Sequence, residues 1–230
     1  MTSFTLGSFD GVHLGHLSLL NYLKKKSLPL VVLTFTNHPL QILKKTAVPL
    51  ITTLEHKLLL LEKAGATLLT VPFTSELLET PYDVFIKNIR KEVLFTHFAL
   101  GKEGAFGKNR EGKEPQIKKL GEQLGFTAEY LEKYTLNNKP ISSGIIRECI
   151  REGKIAEASS LLGRPYSLYV PWEREISLQG LILPPTGEYL VKLLCRGKKR
   201  TALARLSLDS ITVDIQREFP SLQEKVEIVF

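Results

Sequence analysis

Residues 7–16 read Gly7-Ser8-Phe9-Asp10-Gly11-Val12-His13-Leu14-Gly15-His16, and this stretch decides the fold. A short apolar run, Phe4 to Leu6, stands before it, and an amphipathic stretch, Leu17 to Lys26, follows. A strand, a glycine-rich turn and a helix start make a place where phosphate oxygens reach backbone N–H groups. Two histidines three residues apart at that turn add donors that can follow charge developing on a phosphate. Gly11 and Gly15 let the backbone come close. A helix expected to start near His16 turns its positive dipole end toward the same place. The plainer reading, two solvated histidines beside a turn glycine, leaves the combination as a whole unexplained.

Outward from this stretch, strands and helices alternate. Leu30 to Phe35 is a continuous apolar run, as in a buried parallel strand. Thr53 to Ala64 reads as a helix stopped by Gly65, and Thr67 to Val71 as a strand. Helical spacing returns over Tyr82–Leu94, Gln116–Leu124, Ser143–Glu152 and Ile155–Leu162, with strands expected at His97–Gly101 and Thr127–Tyr130. Lys102 to Gly112 reads as a glycine-rich polar loop. This order predicts an α/β fold, a doubly wound, Rossmann-like parallel sheet with ligands at the carboxyl ends of its strands. After Pro165 helical periodicity stops. Gly187–Leu194, Arg200–Leu206, Ser210–Arg217 and Lys225–Phe230 read as strands between turns. The expected division is a first domain over 1–165 and a small all-β unit over 166–230, too small to stand well alone.

Composition bounds the partners. The 230 residues are 43% hydrophobic, which suits an ordinary core, and no apolar run approaches membrane-spanning length. No signal peptide is visible. Cys149 and Cys195 lie far apart and read as reduced thiols of a cytoplasmic protein. A net charge of +7 suits either nucleic acid or small polyanions. Lys24-Lys25-Lys26 and Lys198-Lys199-Arg200 read best as solvated surface charge, so no nucleic-acid partner and no membrane partner is expected. The sequence leaves the oligomeric state open.

The phrase Gly-x-Phe-Asp-Gly-Val-His-x-Gly-His resembles the HxGH nucleotidylyltransferases and, within them, the bacterial FAD synthetases (bifunctional riboflavin kinase/FMN adenylyltransferases). Further segments in family order extend the resemblance over residues 3–166. Thr34-Phe35-Thr36-Asn37-His38-Pro39 resembles T-F-x-P-H-P, Gly101–Lys108 resembles G-x-D-F-x-F-G-K, Ile141–Arg147 resembles I-S-S-T-x-I-R, and Leu162-Gly163-Arg164-Pro165-Tyr166 matches L-G-R-P-Y. The resemblance implies AMP transfer from ATP to FMN, with Mg²⁺, and release of pyrophosphate. A phosphate monoester is already a nucleophile, so catalysis reduces to positioning and charge stabilisation. On this resemblance His13 and His16 are catalytic. Gly7, Phe9, Asp10, Gly11, Gly15, Ser142, Ser143 and Arg147 serve ATP, and Asn37, His38, Pro39 and Phe106 serve the flavin. No protein metal ligand is expected.

The residues themselves keep alternatives open. Asp10 reads first as a structural turn residue and second as an organiser of the metal. Ser142 and Ser143 can cap a helix, meet phosphate, or do both. His38 suits a turn before proline as well as a flavin contact. The chain departs from the family pattern at Gly144 (usually Thr), Thr36-Asn37 and Gly104 (usually aromatic).

In the family the second domain is a riboflavin kinase with a G-x-P-T-x-N segment and a catalytic Glu. This chain has no P-T-x-N; its nearest string is Pro184-Pro185-Thr186-Gly187, and Asp214 falls where the Glu is expected. Tyr166 to Leu181 is too short for the missing strands and loop. Kinase activity is therefore expected to be absent. The competing functions are nucleotidyl transfer to another phosphorylated acceptor and a non-catalytic flavin- or nucleotide-binding regulator; intact His13 and His16 argue against the latter.

Overall fold

A computed structural model describes residues 1–44, 48–214 and 224–230. Strand β1 (Thr2–Gly7) runs into a loop and then α1 (Leu14–Lys24). Strand β2 (Leu30–Phe35), helices α2 (Pro39–Lys44) and α3 (Leu54–Lys63), and strand β3 (Ala66–Val71) follow. Next come α4 (Ser75–Leu78), α5 (Tyr82–Glu92), β4 (Phe95–Gly101), a 3₁₀ turn (Lys108–Arg110), α6 (Glu114–Leu124) and β5 (Thr127–Leu131). A small hairpin, β6 (Thr135–Leu136) and β7 (Lys139–Pro140), leads to α7 (Ser143–Arg151) and α8 (Ile155–Leu162).

Strands β1 to β5 form a parallel sheet in the order β3-β2-β1-β4-β5. Its centre is β1, with β2 on one side and β4 on the other, so the strand order reverses at the carboxyl end of β1. That is where open α/β sheets place their ligands, and it is where residues 7–16 sit. Every residue of β2 is buried, as its unbroken apolar run requires. The fold is the α/β one expected from the alternation.

Helix α1 begins two residues earlier than expected. Its N-cap is His13, and Leu14, Gly15 and His16 form its first turn. The cause is local: Nδ1 of His13 accepts the backbone N–H of His16 at 3.3 Å, the task usually given to Ser, Thr, Asp or Asn.

Beyond Pro165 the chain forms β8 (Ser167–Pro171), β9 (Glu175–Ser177), β10 (Gly187–Cys195), β11 (Lys198–Leu206), β12 (Ser210–Asp214) and β13 (Lys225–Val229). They make one antiparallel sheet in the order β8-β13-β10-β11-β12-β9. The expected strand over Ser210–Arg217 is described as far as Asp214; the rest of it lies outside the described residues. The stretch from Tyr166 to Leu181 holds β8 and β9, which the sequence reading did not identify.

Inward residues of this sheet, such as Val191, Leu193, Ala204, Ile211 and Ile228, share one apolar cluster with Ile146, Ile150, Ala158 and Leu162 of α7 and α8. The core therefore continues across residue 165. Loop and sheet also meet through a short bridge, where Leu50 donates its N–H to Gly180 at 2.7 Å and accepts from Ile182 at 2.8 Å. Among the described residues no helix is long and apolar enough to cross a membrane.

Candidate functional site

The loop after β1 is held in a conformation that L-residues avoid. Phe9 has φ of 48° and Val12 of 40°, the second a real outlier for a β-branched residue. Gly11 has φ of 80°, and a Cβ there would meet Ile51 Cδ1 at 3.0 Å. Such geometry persists only when the surroundings fix it. Here Arg164 donates to the carbonyls of Gly11 at 2.8 Å and Val12 at 3.3 Å.

Both histidines are brought together. Their rings stack with centroids 3.6 Å apart, and His16 meets Phe9 edge-on. Gly15 makes room for this, since a Cβ would press on Cε1 and Nδ1 of His13 at 3.1 Å. Burial, then the charge of Arg164, lowers the pKa of His13 to about 4. Burial, then His13 and Lys57, holds His16 well below the ordinary imidazole range. Both rings are neutral at pH 7 without substrate. With Nδ1 of His13 accepting, its proton lies on Nε2, which is thereby a donor. The Nδ1 of His16 is buried without a partner.

Asp10 is a hub. Its carboxylate accepts the N–H of Ile51 at 3.0 and 3.2 Å, the N–H of Thr52 at 3.3 Å, and Nη2 of Arg147 at 2.7 Å. Buried carboxylates need such partners. These contacts tie the loop after β1 to residues 51–52 and to α7. Ser143 gives its hydroxyl to the Asp10 carbonyl at 2.9 Å, and Ser142 caps α7 by accepting the N–H of Ile145 at 3.3 Å. Arg147 also lies 3.4 Å from Nε2 of His38, and its own Nε is buried unpartnered.

Two cavities share one wall. The first, of about 310 Å³, is apolar and lined by Phe35, Pro39, Phe73, Leu77, Phe85 and Phe106, with Arg110 at hand. The second, of about 290 Å³, is more polar and lined by Phe9, His13, Gly15, His16, Glu132 and Tyr134, among others. Leu6, Gly7, Ser8, Leu100 and Gly104 line both. Gly104 sits tightly there, for a Cβ would meet Gly101 O at 2.9 Å and Leu100 Cβ at 3.0 Å. An aromatic side chain would not enter without a backbone shift.

Thus Gly7, Phe9, Gly15, His13 and His16 line the polar cavity, and Pro39 and Phe106 line the apolar one. Gly11 supports the loop from beneath. Ser142, Ser143 and Arg147 line neither cavity; Ser143 and Arg147 bind Asp10, and Ser142 caps α7. Asn37 and His38 border a small separate cleft beside Asp10. The Asn37 side chain is spent on Phe73, donating to its carbonyl at 2.9 Å and accepting its N–H at 2.7 Å. Phe73 and Leu77 escaped the sequence reading, although their apolar character just after β3 was visible. Lys57 escaped it too. It falls on the face of α3 shared by Leu54 and Leu61, three before and four after it, and a lysine on such a face is the signal. It is buried, and its Nζ donates to Phe35 O at 2.7 Å and Ser8 O at 3.2 Å.

The FAD synthetase family profile matches residues 1–145. The chain is 33% identical over 174 residues to a bifunctional riboflavin kinase/FMN adenylyltransferase of Haemophilus influenzae, covering 73% of this chain and 56% of that one. A protein of the same name from Listeria monocytogenes is 30% identical over 92% of this chain and 74% of its own length. An FAD synthetase from Listeria monocytogenes is 32% identical over 80% of this chain and 78% of its own. In fold, the chain is similar to a solved structure titled macrolide-efflux protein from Streptococcus pneumoniae, with TM-score 0.80 and 22% identity over 99% of this chain and 92% of that one. The profile match spans the strained histidine loop, both cavity walls and Ser142-Ser143, and with the Listeria relatives it shows that the chain belongs to the FAD synthetase family.

Proposed function

We propose that this site transfers AMP from ATP to FMN, forming FAD and pyrophosphate. The observation that carries the reading is the pair of cavities meeting at Gly7, Ser8 and Gly104. The apolar cavity suits a flat aromatic ring system, and the polar one suits a nucleotide. Their shared wall brings the phosphate of one ligand to the phosphates of the other. The FMN phosphate oxygen attacks the α-phosphorus, and the bond to the pyrophosphate oxygen breaks in line.

On this reading Nε2–H of His13 donates to the α-phosphate region, and His16 extends the donor set from the same helix turn. As neutral donors they bind charge without first losing a proton to the triphosphate. Arg147 lies behind the loop, so its part is to fix Asp10 and the loop backbone rather than to grip the leaving phosphates. Magnesium enters this reading with the substrate as MgATP, held chiefly by the phosphates.

Riboflavin kinase activity is absent on this reading, because the sequence has no P-T-x-N segment and Asp214 at the end of β12 is one methylene shorter than the Glu of the family. Free, buried Cys149 and Cys195 support a reducing, cytoplasmic setting. The test is product chromatography of two reactions with MgATP, one given FMN and the other riboflavin. FAD from FMN with nothing from riboflavin is expected. FMN formed from riboflavin would overturn the kinase part, and silence with FMN would overturn the whole.

A further inference from the structure

Lys57 is a lysine where an apolar residue would cost less. Burying an ammonium is expensive unless its donors are met, and α3 offers it an apolar face. Its Nζ instead spans two carbonyls, Ser8 O at 3.2 Å and Phe35 O at 2.7 Å. These carbonyls lie at the strand ends: Ser8 follows β1, Phe35 is the last residue of β2, and the last β1–β2 pair in register is Gly7 with Thr34, whose hydroxyl also donates to Ser8 O at 3.3 Å. One carbonyl leads into Phe9-Asp10 and the histidine loop. The other leads into Thr36-Asn37-His38, the loop that pins Phe73 to the apolar cavity.

Ser8 lines both cavities, so the tie reaches the point where the two ligands meet. An ammonium has three donors, and two are committed. The third is left for the small cleft that Lys57 lines with Asp10, Asn37 and His38, which has room for about one water (about 20 Å³). The charge is felt on both sides of the site, at His16 of α1 and at His38.

We infer that Lys57 is a positioning residue of the transfer, the ammonium that locks the end of β1 to the end of β2 and so sets the histidine loop and the acceptor-side loop at the spacing in-line attack requires. This rests on the adenylyl-transfer reading above. The groups facing Lys57 are the Asp10 carboxylate from the loop after β1, His16 from α1 and His38 from the loop after β2. Burial, opposed by Asp10, lowers its pKa to about 8. The ammonium is therefore present below that pH and lost above it in the free protein.

The experiment compares wild type, Lys57→Met and Lys57→Arg. It measures kcat and KM for FMN and MgATP from pH 6 to 9.5, thermal melting, and amide exchange by mass spectrometry. For Lys57→Met, kcat falls about tenfold or more with both KM values little changed, as expected for lost alignment. Wild-type kcat/KM declines as pH rises through about 8, and Lys57→Met lacks that decline. Lys57→Arg recovers part of kcat. Exchange in Lys57→Met rises over residues 7–10 and 35–38. Wild-type kcat in Lys57→Met, or unchanged exchange in those segments, overturns the inference. If Lys57→Met does not fold, the wild-type alkaline decline and its removal in Lys57→Arg decide. If wild type makes no FAD, the reaction reading fails, and the exchange result alone judges the tie.

Discussion

The histidine loop and the antiparallel sheet handle charge in different ways. Around the loop, charged side chains are buried and joined across long stretches of sequence: Asp10 to Arg147, Lys57 to Ser8 and Phe35, Arg164 to Gly11 and Val12. Around the antiparallel sheet, charges sit outside. Arg205 pairs with Glu188 at side-chain exposures of 75% and 56%, and Arg196 is 77% exposed beside Glu224. Water already satisfies the second kind, so pairing adds little. The first kind has no water to fall back on, so each partner is obligatory. Buried charge marks the loop where the chain holds an unfavourable backbone; exposed pairs occur on both halves, as with Lys87 and Asp83 of α5.

The sharpest way to break this comparison is Asp10→Ala. It strands Arg147 and the N–H groups of Ile51 and Thr52, and should cost ~3–5 kcal/mol in denaturant unfolding. A loss under about 1 kcal/mol would place Asp10 with the surface pairs. Next comes His13→Ala, which removes the cap of α1 and, on the proposed reading, one transition-state donor. Steady-state kcat should drop by the equivalent of ~3 kcal/mol; near-normal turnover would end the assigned role.

Acidification acts on both sheets at once. His13 in the loop and His56, buried on α3 with Nε2 3.9 Å from Glu227 of β13, each have a pKa lowered to about 4, chiefly by burial. The unfolded chain binds their protons first, so their contribution is full above pH 6.5 and is lost as pH falls toward 4. Melting temperature should fall steadily across that window; a flat profile would contradict the burial of both rings. The smallest effect is expected from Arg205→Ala, within ~0.5 kcal/mol of wild type, and a larger loss would show that the outer charges of the antiparallel sheet are not idle.

What the sequence disclosed was local. The loop, the following helix and the alternation of strands and helices each depend on residues close in the chain, so spacing exposed them. Even there the helix start was misplaced, because histidine is not a usual N-cap and its Nδ1 contact to His16 is a matter of ring orientation. Asn37 carries the right polarity for a flavin contact, but its amide is used up by the backbone of Phe73, which lies 36 residues on. The tie of Arg164 to the loop spans 152 residues and the bridge from Leu50 to Gly180 joins two loops. No periodicity records contacts of that range. Lys57 was legible in principle as a polar residue on an apolar helix face, yet what it holds is a pair of carbonyls, and carbonyls leave no trace in side-chain patterns.

The strained loop lies within the first sixteen residues, but the groups that fix it come much later. Ile51 and Thr52 hold Asp10, Arg147 closes the carboxylate, and Arg164 takes the carbonyls of Gly11 and Val12. During synthesis from the N-terminus, the β1–β2 unit can form early, while the left-handed turns at Phe9 and Val12 have nothing to hold them until Arg164 has emerged. Ribosome-bound chains stopped before that residue should therefore carry a folded parallel core whose histidine loop is still protease-sensitive, and the first part of the active site to be translated would be the last to be finished.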